Sequence, residues 1–599
     1  MASHDLLVAP VPPHVPSEPR IFGRIFAIRR IESRLVDVVV FAALALLLYS
    51  LWRTGHAWTQ PAISEARISM RPSALPGYAL DSLLRIAIAY VFSLIFAIGY
   101  GYAAARSAAA ERILIPLLDV LQSIPVLSFL PTVMLAMVAL FPTRQIGLEL
   151  GSILLIFTGQ AWNIAFSMYA SLRAIPTELK EAARVYRFSP WQRFIELELP
   201  YSAIGLIWNS MMSVAGGWFF LMACEMFELG NRDFRLPGLG SYLQRASGEG
   251  DTKAIVWGLA AMIGVIVLLD QLIWRPVIAW GDKFKMESVG AANVSRSAIL
   301  RLLRRSDLLA AFHRRAIAPA RERLMLSLAR PEGESLAAAT SADLPPARTL
   351  GRAARRTAAY AAGFAIAAWL AVHAYKLVVE LGSAEMLQLL RGAAYTFIRV
   401  QGSLLLGALW TVPLGVAIGL SPRLARIAQP LVQIAASVPA TALFPVILLA
   451  LLRFGGGMGV AAIVLMLLGT QWYILFNVIA GAIAIPSDLR EVAQVFRFGR
   501  WNRWRLLILP AIFPYLITGL LTASGGAWNA SIIAEYFHFR GATLETTGLG
   551  SIISGATDAG RMDVLLAATM LMAVVVVAMN RLVWRRLYRL GENRFKLDA

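Results

Sequence analysis

The chain contains one basic stretch twice: IPTELKEAARVYRFSPWQRFIELELP from Ile175 to Pro200, and IPSDLREVAQVFRFGRWNRWRLLILP from Ile485 to Pro510. Aligned without gaps at an offset of 310, the two copies are identical at 13 of 26 positions. Each copy lies between long apolar runs. An internal repeat of this length indicates a duplicated structural unit, so the role of this connector decides how the rest of the chain is interpreted.

The composition is that of a membrane protein. The 599 residues are 58% hydrophobic and 15% charged, with a mean hydropathy of +0.64, whereas soluble domains carry about 25% charged residues. The net charge of +20 comes from basic residues in short connectors between apolar runs. This is the pattern of cytoplasmic loops, so it argues against nucleic-acid binding. The single cysteine, Cys224, excludes an intrachain disulfide and a cysteine metal cluster, and no cofactor is expected.

The apolar runs predict an all-α polytopic protein of about 12 transmembrane helices, because a span needs about 20 apolar residues. The predicted spans are Leu35–Trp52, Leu83–Ala105, Ile113–Phe141, Leu148–Leu172, Tyr201–Ala223, Ile255–Trp280, Ala358–Val379, Gly402–Leu420, Ile427–Leu452, Val460–Ala480, Ala511–Ser531 and Val564–Trp584.

Four regions follow from this division. Residues 1–34 are expected to form a cytoplasmic tail without an evident cleavable signal peptide, 35–285 a first membrane half, 286–356 a basic cytoplasmic linker, and 357–599 a second membrane half. The linker is interpreted as a strap between the halves, with an amphipathic helix on the membrane surface as the alternative. Both termini and both connectors then face the cytoplasm.

The repeat extends beyond the connector. Gly101 pairs with Gly415 and Pro125 with Pro439 at an offset of 314, and Trp162 pairs with Trp472 at 310. Both halves enter the membrane from the same side with six crossings each, so they form a parallel repeat. Two such halves enclose a central path, which is typical of a transporter.

Each connector is predicted to be a compact helix–turn–helix. Thr177 is expected as the N-cap of its first helix, which breaks at Ser189-Pro190 in one copy and at Gly499 in the other. A plain basic loop would satisfy topology alone. The matched breaks and tryptophans favour a docking element instead.

These residues resemble the EAA motif of bacterial ABC-importer permeases. The first copy has Glu181-Ala182-Ala183 and a distal Pro200, and the second has Glu491-Val492-Ala493 and Pro510. WQRFIELELP and GGAWNASIIAEYF are similar to the nitrate/sulfonate/taurine group, and the duplication resembles importers with two fused permease halves. The family usually has glycine six residues after the motif glutamate, where this chain has Arg187 and Arg497. Arginine is expected to let the helix continue.

The resemblance implies an inner-membrane permease that moves a small inorganic or organic anion. It also implies two copies of a separate ATPase on the cytoplasmic side and a substrate-binding protein outside. The ATPase-coupling residues would be Glu181, Ala182, Ala183, Arg187, Pro200, Glu491, Ala493, Arg497 and Pro510. The chain has no G-x-x-x-x-G-K-[ST] phosphate loop, so it is expected not to be an enzyme and to depend on a partner for ATP hydrolysis.

An ion-gradient-driven transporter with 12 helices in two parallel repeats remains the main alternative. Its acidic candidates within spans are Asp119 and Asp270, whereas Glu225 and Glu535 are interpreted as gate or loop-anchoring groups. A membrane-embedded enzyme is disfavoured because the six histidines are scattered and form no metal or nucleophile cluster.

Polar and aromatic residues inside the spans are candidates for the substrate path, with helix packing as the competing role. They are Gln160, Trp162, Asn163, Trp218, Gln471, Trp472, Trp528 and Asn529. Arg85 and Arg399 lie near the external ends of equivalent spans. They could attract an anion or extend to the membrane interface.

Overall fold

The computed structural model describes residues 68–142, 145–229, 232–284, 297–328, 381–453, 457–539 and 542–594, with parts of 36–59 and Val372. The predicted tail 1–34, the predicted span Ala358–Val379 and linker residues 286–296 and 329–356 lie outside the described residues. The predicted span Leu35–Trp52 falls only partly within them.

The first half is mostly helical, and its one described pair of strands follows the helix that ends at Glu225. Its elements are α1 (Leu75–Arg106), α2 (Ala108–Ser123), α3 (Leu130–Leu140), α4 (Ile146–Arg173), α5 (Thr177–Val185), α6 (Pro190–Arg193), α7 (Leu199–Glu225), β1 (Glu228–Leu229), β2 (Arg232–Asp233), α8 (Leu239–Glu249), α9 (Thr252–Leu269) and α10 (Arg275–Gly281).

The linker contributes three short helices, and the second half repeats the first. These elements are α11 (Ala298–Leu303), α12 (Asp307–Phe312), α13 (Ala318–Leu328), α14 (Ser383–Leu420), α15 (Pro422–Ser437), α16 (Ala440–Arg453), α17 (Met458–Ile483), α18 (Ser487–Val495), α19 (Arg500–Arg503), α20 (Leu509–Ala534), β3 (Tyr536–Phe539), β4 (Ala542–Glu545), α21 (Leu549–Asp558), α22 (Met562–Met579) and α23 (Arg585–Arg594).

The described residues confirm an all-α polytopic protein made of two tandem halves. Eight of their helices are long and apolar enough to cross a membrane. The bent pair Ala108–Gln122 and Val126–Leu140 is apolar enough to count with them, as either a broken span or a re-entrant loop. With the predicted spans that lie outside the described residues, this architecture is consistent with about twelve helices.

The predicted third span is not one continuous helix. It bends by 78° next to Pro125, where Ile124 is extended with φ −75° and ψ 124°. Val438, before Pro439, adopts the same conformation with φ −76° and ψ 116°. A residue that precedes proline is pushed out of the helical region by contact with the proline ring, so both halves break at the equivalent position.

Small residues allow the core helices of each half to approach closely. In the first half α4 packs between α1 and α7, and in the second α17 packs between α14 and α20. A Cβ atom on Gly101 would lie 2.7 Å from Met168 Cβ, and one on Gly415 would lie 2.8 Å from Val478 Cγ1. Glycine at these paired positions is therefore needed for van der Waals packing, which replaces the hydrophobic effect between helices in lipid.

The two halves run in the same direction. Gly216 of α7 and Gly526 of α20 line one cavity, and Ala223 and Ile533, farther along the same helices, line another. The starts of α7 and α20 therefore lie at one end of the bundle, together with both repeated stretches. This end is called the connector end, and the opposite end, with the two hairpins, is called the loop end.

Candidate functional site

Each connector begins with a nine-residue helix, α5 or α18, that follows a proline. Pro176 and Pro486 are the N-caps, with no capping side-chain hydrogen bond. The expectation that Thr177 is the N-cap is wrong by one residue, because the proline takes the extended conformation and Thr177 is already helical. Glu178 lies in the first turn, where the helix dipole favours a negative charge.

Both helices end in the same hydrogen-bonded motif. Phe188 N donates to Ala183 O and Arg187 N donates to Arg184 O, both at 3.0 Å. Phe498 and Arg497 repeat these bonds at 3.0 Å. This is the Schellman arrangement, which needs a left-handed residue just after the helix.

Arg187 and Arg497 occupy that left-handed position. Their φ angles are 51° and 47°, and they are the two residues other than glycine with positive φ in the described part of the chain. The expectation that arginine lets the helix continue is therefore wrong. The backbone takes the shape that glycine would give, at a cost of about 1 kcal/mol per arginine.

The second connector helix continues into the membrane span through a wide turn. Ser189 caps α6 with a capping box formed with Gln192, whereas Gly499 caps α19 without a side chain. Leu199 N then bonds to Phe194 O, and Leu509 N bonds to Trp504 O, five residues back. Pro200 and Pro510 follow directly. Because proline lacks an N–H and clashes with the carbonyl four residues earlier, the wide turn accommodates it within a continuous helix.

An exposed apolar surface covers the turn of each connector. The first connector patch is Val185, Tyr186 and Trp191, which are 79%, 75% and 59% exposed. The second connector patch has the equivalent residues Val495, Phe496 and Trp501, which are 78%, 71% and 76% exposed. Contiguous apolar patches outside the spans mark interaction sites.

The motif residues surround these patches. Glu181, Ala182 and Glu491 are exposed, whereas Ala183 and Ala493 are each 5% exposed. The buried alanines accept the closing hydrogen bonds from Phe188 and Phe498. The acidic and cationic members of the motif therefore point to solvent around a rigid turn.

Among the described contacts, the linker touches the first connector but not the second. Arg321 Nη2 of α13 donates to Glu196 Oε1 at 2.7 Å. The equivalent of Glu196 in the second copy is Leu506, which is 59% exposed. The surroundings of the two connector patches therefore differ.

At the loop end of the first half, a buried cluster joins four helices. Arg85 donates to Glu149 through Nε at 2.6 Å and Nη2 at 2.8 Å. Its Nη1 donates to Glu225 Oε1 at 2.8 Å and to Pro237 O at 2.7 Å. Gly240 N donates to Glu225 Oε2 at 2.8 Å. This loop-end clasp fixes the start of α8 against α1, α4 and α7.

The second half has the same clasp with one carboxylate fewer. Arg399 Nη1 donates to Glu535 Oε1 and to Thr547 O, both at 2.7 Å, and Gly550 N donates to Glu535 Oε2 at 2.9 Å. The position that corresponds to Glu149 at the offset of 310 is Gly459. Thr546 Oγ1 instead accepts from Arg399 Nη2 at 2.9 Å.

Arg85 and Arg399 were expected either to attract an anion or to extend to the membrane interface, and the structure shows neither role. Arg85 is 3% exposed and Arg399 is 9% exposed, so neither extends to an interface or presents its charge to solvent. The loop-anchoring interpretation of Glu225 and Glu535 agrees with these contacts. The role of Glu149 as a partner of Arg85 was not predicted, although a carboxylate within an apolar run indicates a buried ion pair.

Cavities lie between the two halves. The central cavity, of about 110 Å³, lies at the level of Gly216 and Gly526. A larger one of about 380 Å³, the tryptophan cavity, adjoins it toward the connector end and shares Met212 and Phe476 with it. Toward the loop end a third cavity has about 160 Å³. At its edge, Tyr536 donates to Asp558 at 2.6 Å, and burial together with this bond raises the pKa of Tyr536 above its usual value.

The structure places the path candidates in two groups. Trp472 and Asn529 line the central cavity, and Trp218 lines the tryptophan cavity. The others are not among the lining residues of the three described cavities. Gln160 is fully buried against Gly217, with both amide atoms unpaired, and Trp162 packs on Phe96. The remaining residues of this second group are Asn163, Gln471 and Trp528.

The sequence matches the family of binding-protein-dependent transport system inner membrane components over residues 83–273 and 411–596. These two stretches make up more than half of the chain, with one in each half. The chain belongs to this permease family. Membership makes it a multi-pass transport subunit.

Individual permeases are similar to the chain over shorter stretches. It is 30% identical over 185 residues to the nitrate import permease protein of Leptolyngbya laminosa, covering 31% of the chain and 63% of that protein. It is 28% identical over 182 residues to the taurine transport system permease protein of Escherichia coli (30% and 62%). With the bicarbonate transport system permease protein of Synechococcus elongatus it shares 32% over 137 residues (23% and 48%). The chain thus spans less than two thirds of these relatives.

Proposed function

We propose that this chain is the transmembrane permease component of an ATP-driven importer, with two permease halves fused in it, and that its connectors dock on a separate ATPase. The observation that carries the proposal is the pair of matched connector patches. Each combines three exposed apolar side chains with a left-handed arginine on an identically closed turn. A plain solvated loop does not need this arrangement twice.

The patches suit docking to a folded protein. Aromatic residues and arginine are enriched where proteins bind each other, and each patch presents an aromatic pair beside an exposed arginine. Tyr186 packs on Phe188 and Phe496 on Phe498, with ring centroids 6.4 Å apart in both cases. The backbone of each turn is already closed by hydrogen bonds, and a preformed backbone lowers the entropic cost of association.

Two patches at one end of the bundle suggest two copies of one ATPase subunit. The two docking sites would not be identical, because Ala182 corresponds to Val492 and Glu196 to Leu506. Only the first has a described contact with the linker, through Arg321. The first site, with its intact Glu-Ala-Ala, would bind more like the family norm.

The connector end would face the cytoplasm of a bacterial inner membrane, with both termini on that side, since the basic connectors follow the positive-inside rule. A substrate-binding protein would deliver cargo at the loop end, as the family description suggests. The names of the relatives, which include nitrate, taurine and bicarbonate permeases, support a small anion as the cargo. The regions 1–34, 35–285, 286–356 and 357–599 are proposed as the functional division of the chain.

Charge reversal in the connector tests the docking proposal. Glu181→Lys places a cation beside the first connector patch, and we expect it to abolish retention of ATP-hydrolysing activity on the affinity-purified chain. Membrane insertion should be unchanged, because Glu181 is exposed outside the spans. Glu491→Lys tests the second site in the same way. Glu178→Lys, with an exposed carboxylate one turn earlier on the same helix, is the matched control.

The energy source of uptake distinguishes an ATP-driven importer from a gradient-driven transporter. Uptake into cells should stop when ATP is depleted and should persist with a protonophore. If the wild-type chain retains no ATPase activity, and uptake fails with the protonophore instead, the chain is a gradient-driven transporter and the docking proposal is wrong.

A further inference from the structure

The tryptophan cavity has an unusual wall for a path that would carry a small inorganic anion. Three tryptophans, Trp208, Trp218 and Trp274, line it with Met212 and Phe476. None of the described residues that line this cavity, the central cavity or the loop-end cavity is a lysine or an arginine. An anion of nitrate size would lose its hydration there without meeting a countercharge, which costs several kcal/mol, and it has no apolar surface whose burial would offset this cost.

The one charged group that lines the tryptophan cavity is itself an anion. Asp270 lies at the connector-end side, where its Oδ2 accepts from Arg275 Nε at 3.1 Å and from Gln271 Nε2 at 3.1 Å. Its charge is therefore already paired with Arg275, which does not line the cavity. Asp270 therefore supplies no countercharge to an anion in the tryptophan cavity.

The aromatic wall is only partly shared by the two halves: Trp218 and Trp274 correspond to Trp528 and Trp584, whereas the rest of the wall differs. At the offset of 310, the counterparts of Trp208 and Met212 are Thr518 and Thr522. The counterpart of Ile483, on the facing wall, is Arg173. The equivalent surfaces of the other half are thus more polar and more cationic. Fusion of the halves in one chain allows the two walls of a single cavity to differ in this way.

The volume and polarity of the two cavities indicate what kind of molecule would fit them. An apolar protein cavity of about 150 Å³ is large enough to bind benzene, and the tryptophan cavity has about 380 Å³. Two polar side chains line the adjoining central cavity: Tyr473, whose hydroxyl lies beside Gly216, and Asn529, whose amide is bonded to Gly525 O and Leu127 N. The two cavities therefore provide an apolar chamber next to a smaller polar one.

We propose that the cargo is an organic solute with a planar apolar body, which lies against the tryptophan wall while its polar or anionic group lies in the central cavity. This inference rests on the proposed function of the chain as a permease and narrows its cargo. It separates the substrate from inorganic oxyanions such as nitrate and bicarbonate, for which the apolar wall offers no binding energy.

Equilibrium binding of radiolabelled benzenesulfonate to the full chain in lipid nanodiscs tests the inference. Methanesulfonate has the same anionic group without the ring, and nitrate is the inorganic comparison. We expect saturable binding that unlabelled benzenesulfonate displaces, and at least a tenfold weaker competition by methanesulfonate and by nitrate.

A matched pair of substitutions locates the binding. Ala480→Phe places a ring in the tryptophan cavity, which Ala480 lines, and should weaken benzenesulfonate binding at least tenfold. Ala170→Phe changes the equivalent exposed alanine of the first half, which is not among the lining residues of the described cavities. It should leave binding unchanged, and it controls for partition of the probe into lipid.

Three results would overturn the inference. They are equal competition by nitrate, the absence of saturable binding because lipid chains occupy the cavity, and equal loss of binding in both phenylalanine variants. Retention of ATPase activity is measured on the same samples. If the wild-type chain retains the ATPase but fails these binding criteria, the cargo inference is wrong and the proposed function stands. If no ATPase is retained, the proposed function itself fails.

Discussion

Arg187 and Arg497 close their helices in a backbone conformation that glycine adopts at lower free energy. Each is exposed, with its φ angle near +50°, so nothing in the described packing around the side chain requires the strain. The same substitution in both copies places a cation beside each connector patch. The arginines therefore contribute charge at the proposed docking surface, at the cost of a less stable turn.

Replacement of Arg187 by glycine should stabilise this turn. We expect the opening free energy of the Phe188 amide, which donates to Ala183 O, to rise by about 1 kcal/mol. Hydrogen exchange at this amide measures the effect. Arg184→Gly removes the same charge from inside the helix and should lower the opening free energy by about 1 kcal/mol. Faster exchange in both variants would contradict the assigned strain.

The ends of these helices show a limit of sequence reasoning. Arginine has a better helix propensity than glycine, by somewhat less than 1 kcal/mol, and this difference predicts a longer helix. The turn that follows decides otherwise, because Phe188 must bond back to Ala183 and Ser189 must begin the next helix. The break at Ser189 and Gly499 was predictable, since a cap residue and a proline or glycine are local signals.

Loss of either clasp arginine should destabilise the chain, and the first more than the second. Arg85→Ala leaves two buried carboxylates, Glu149 and Glu225, without their cation, whereas Arg399→Ala leaves only Glu535. Removal of one partner from a buried ion pair costs about 3–5 kcal/mol. Thermal unfolding in detergent should show a lower midpoint for Arg85→Ala than for Arg399→Ala. The reverse order would argue against the role of Glu149.

The pairing of residues in the loop-end clasp could not be predicted from the sequence. Arg85 bonds to Glu149 and Glu225, which lie 64 and 140 residues away along the chain, and no local pattern pairs them. The repeat did identify Glu225 and Glu535 as equivalent. Gly238 and Gly548 each begin a Gly-Leu-Gly sequence, which therefore occurs once in each half. A Cβ on either glycine would lie within 2.3 Å of the glutamate carboxyl carbon, which explains that part of the repeat.

At the scale of elements, contact between α1 and α4 depends on one face of α1. Gly101→Val places a side chain where Met168 Cβ and Ala165 O lie less than 3 Å from the new Cβ, and overpacking of this kind costs about 1–3 kcal/mol. Gly99→Val adds the same residue to the same helix where no atom lies within 4 Å. We expect a lower unfolding midpoint for Gly101→Val alone. Equal midpoints would show that α1 shifts to make room.

The existence of the spans was predicted well because they are long and apolar. The residues at which they end were not predicted well. The predicted span Tyr201–Ala223 belongs to a helix that runs without interruption from Pro190 to Glu225. Hydropathy marks only the part of the helix that contacts lipid, so a polar extension such as α6 is invisible to it. Conversely, the run Ile113–Phe141 is apolar enough to be predicted as one span, yet it bends next to Pro125.

For the whole molecule, the interface between the halves should hold them together without the linker. One buried cluster contains Leu127 and Phe227 of the first half with Trp528 of the second. Leu127 N also donates to Asn529 Oδ1 at 3.3 Å. We expect halves expressed as separate chains, cut between Ala342 and Asp343, to copurify from detergent through a tag on the first. Recovery of the tagged half alone would mean that the linker is required for assembly.

The wide turns ahead of Pro200 and Pro510 have a geometric consequence. In a regular α-helix one additional residue would rotate the following segment by about 100° about the helix axis. A wide turn instead holds its additional residue within the turn, so the helices before and after it stay nearly in phase. Deleting a residue inside the turn, such as Leu197 or Leu507, would restore a regular helix and leave the direction of Trp191 or Trp501 nearly unchanged. The wide turn thus separates the length of this segment from the azimuth at which its connector patch faces outward.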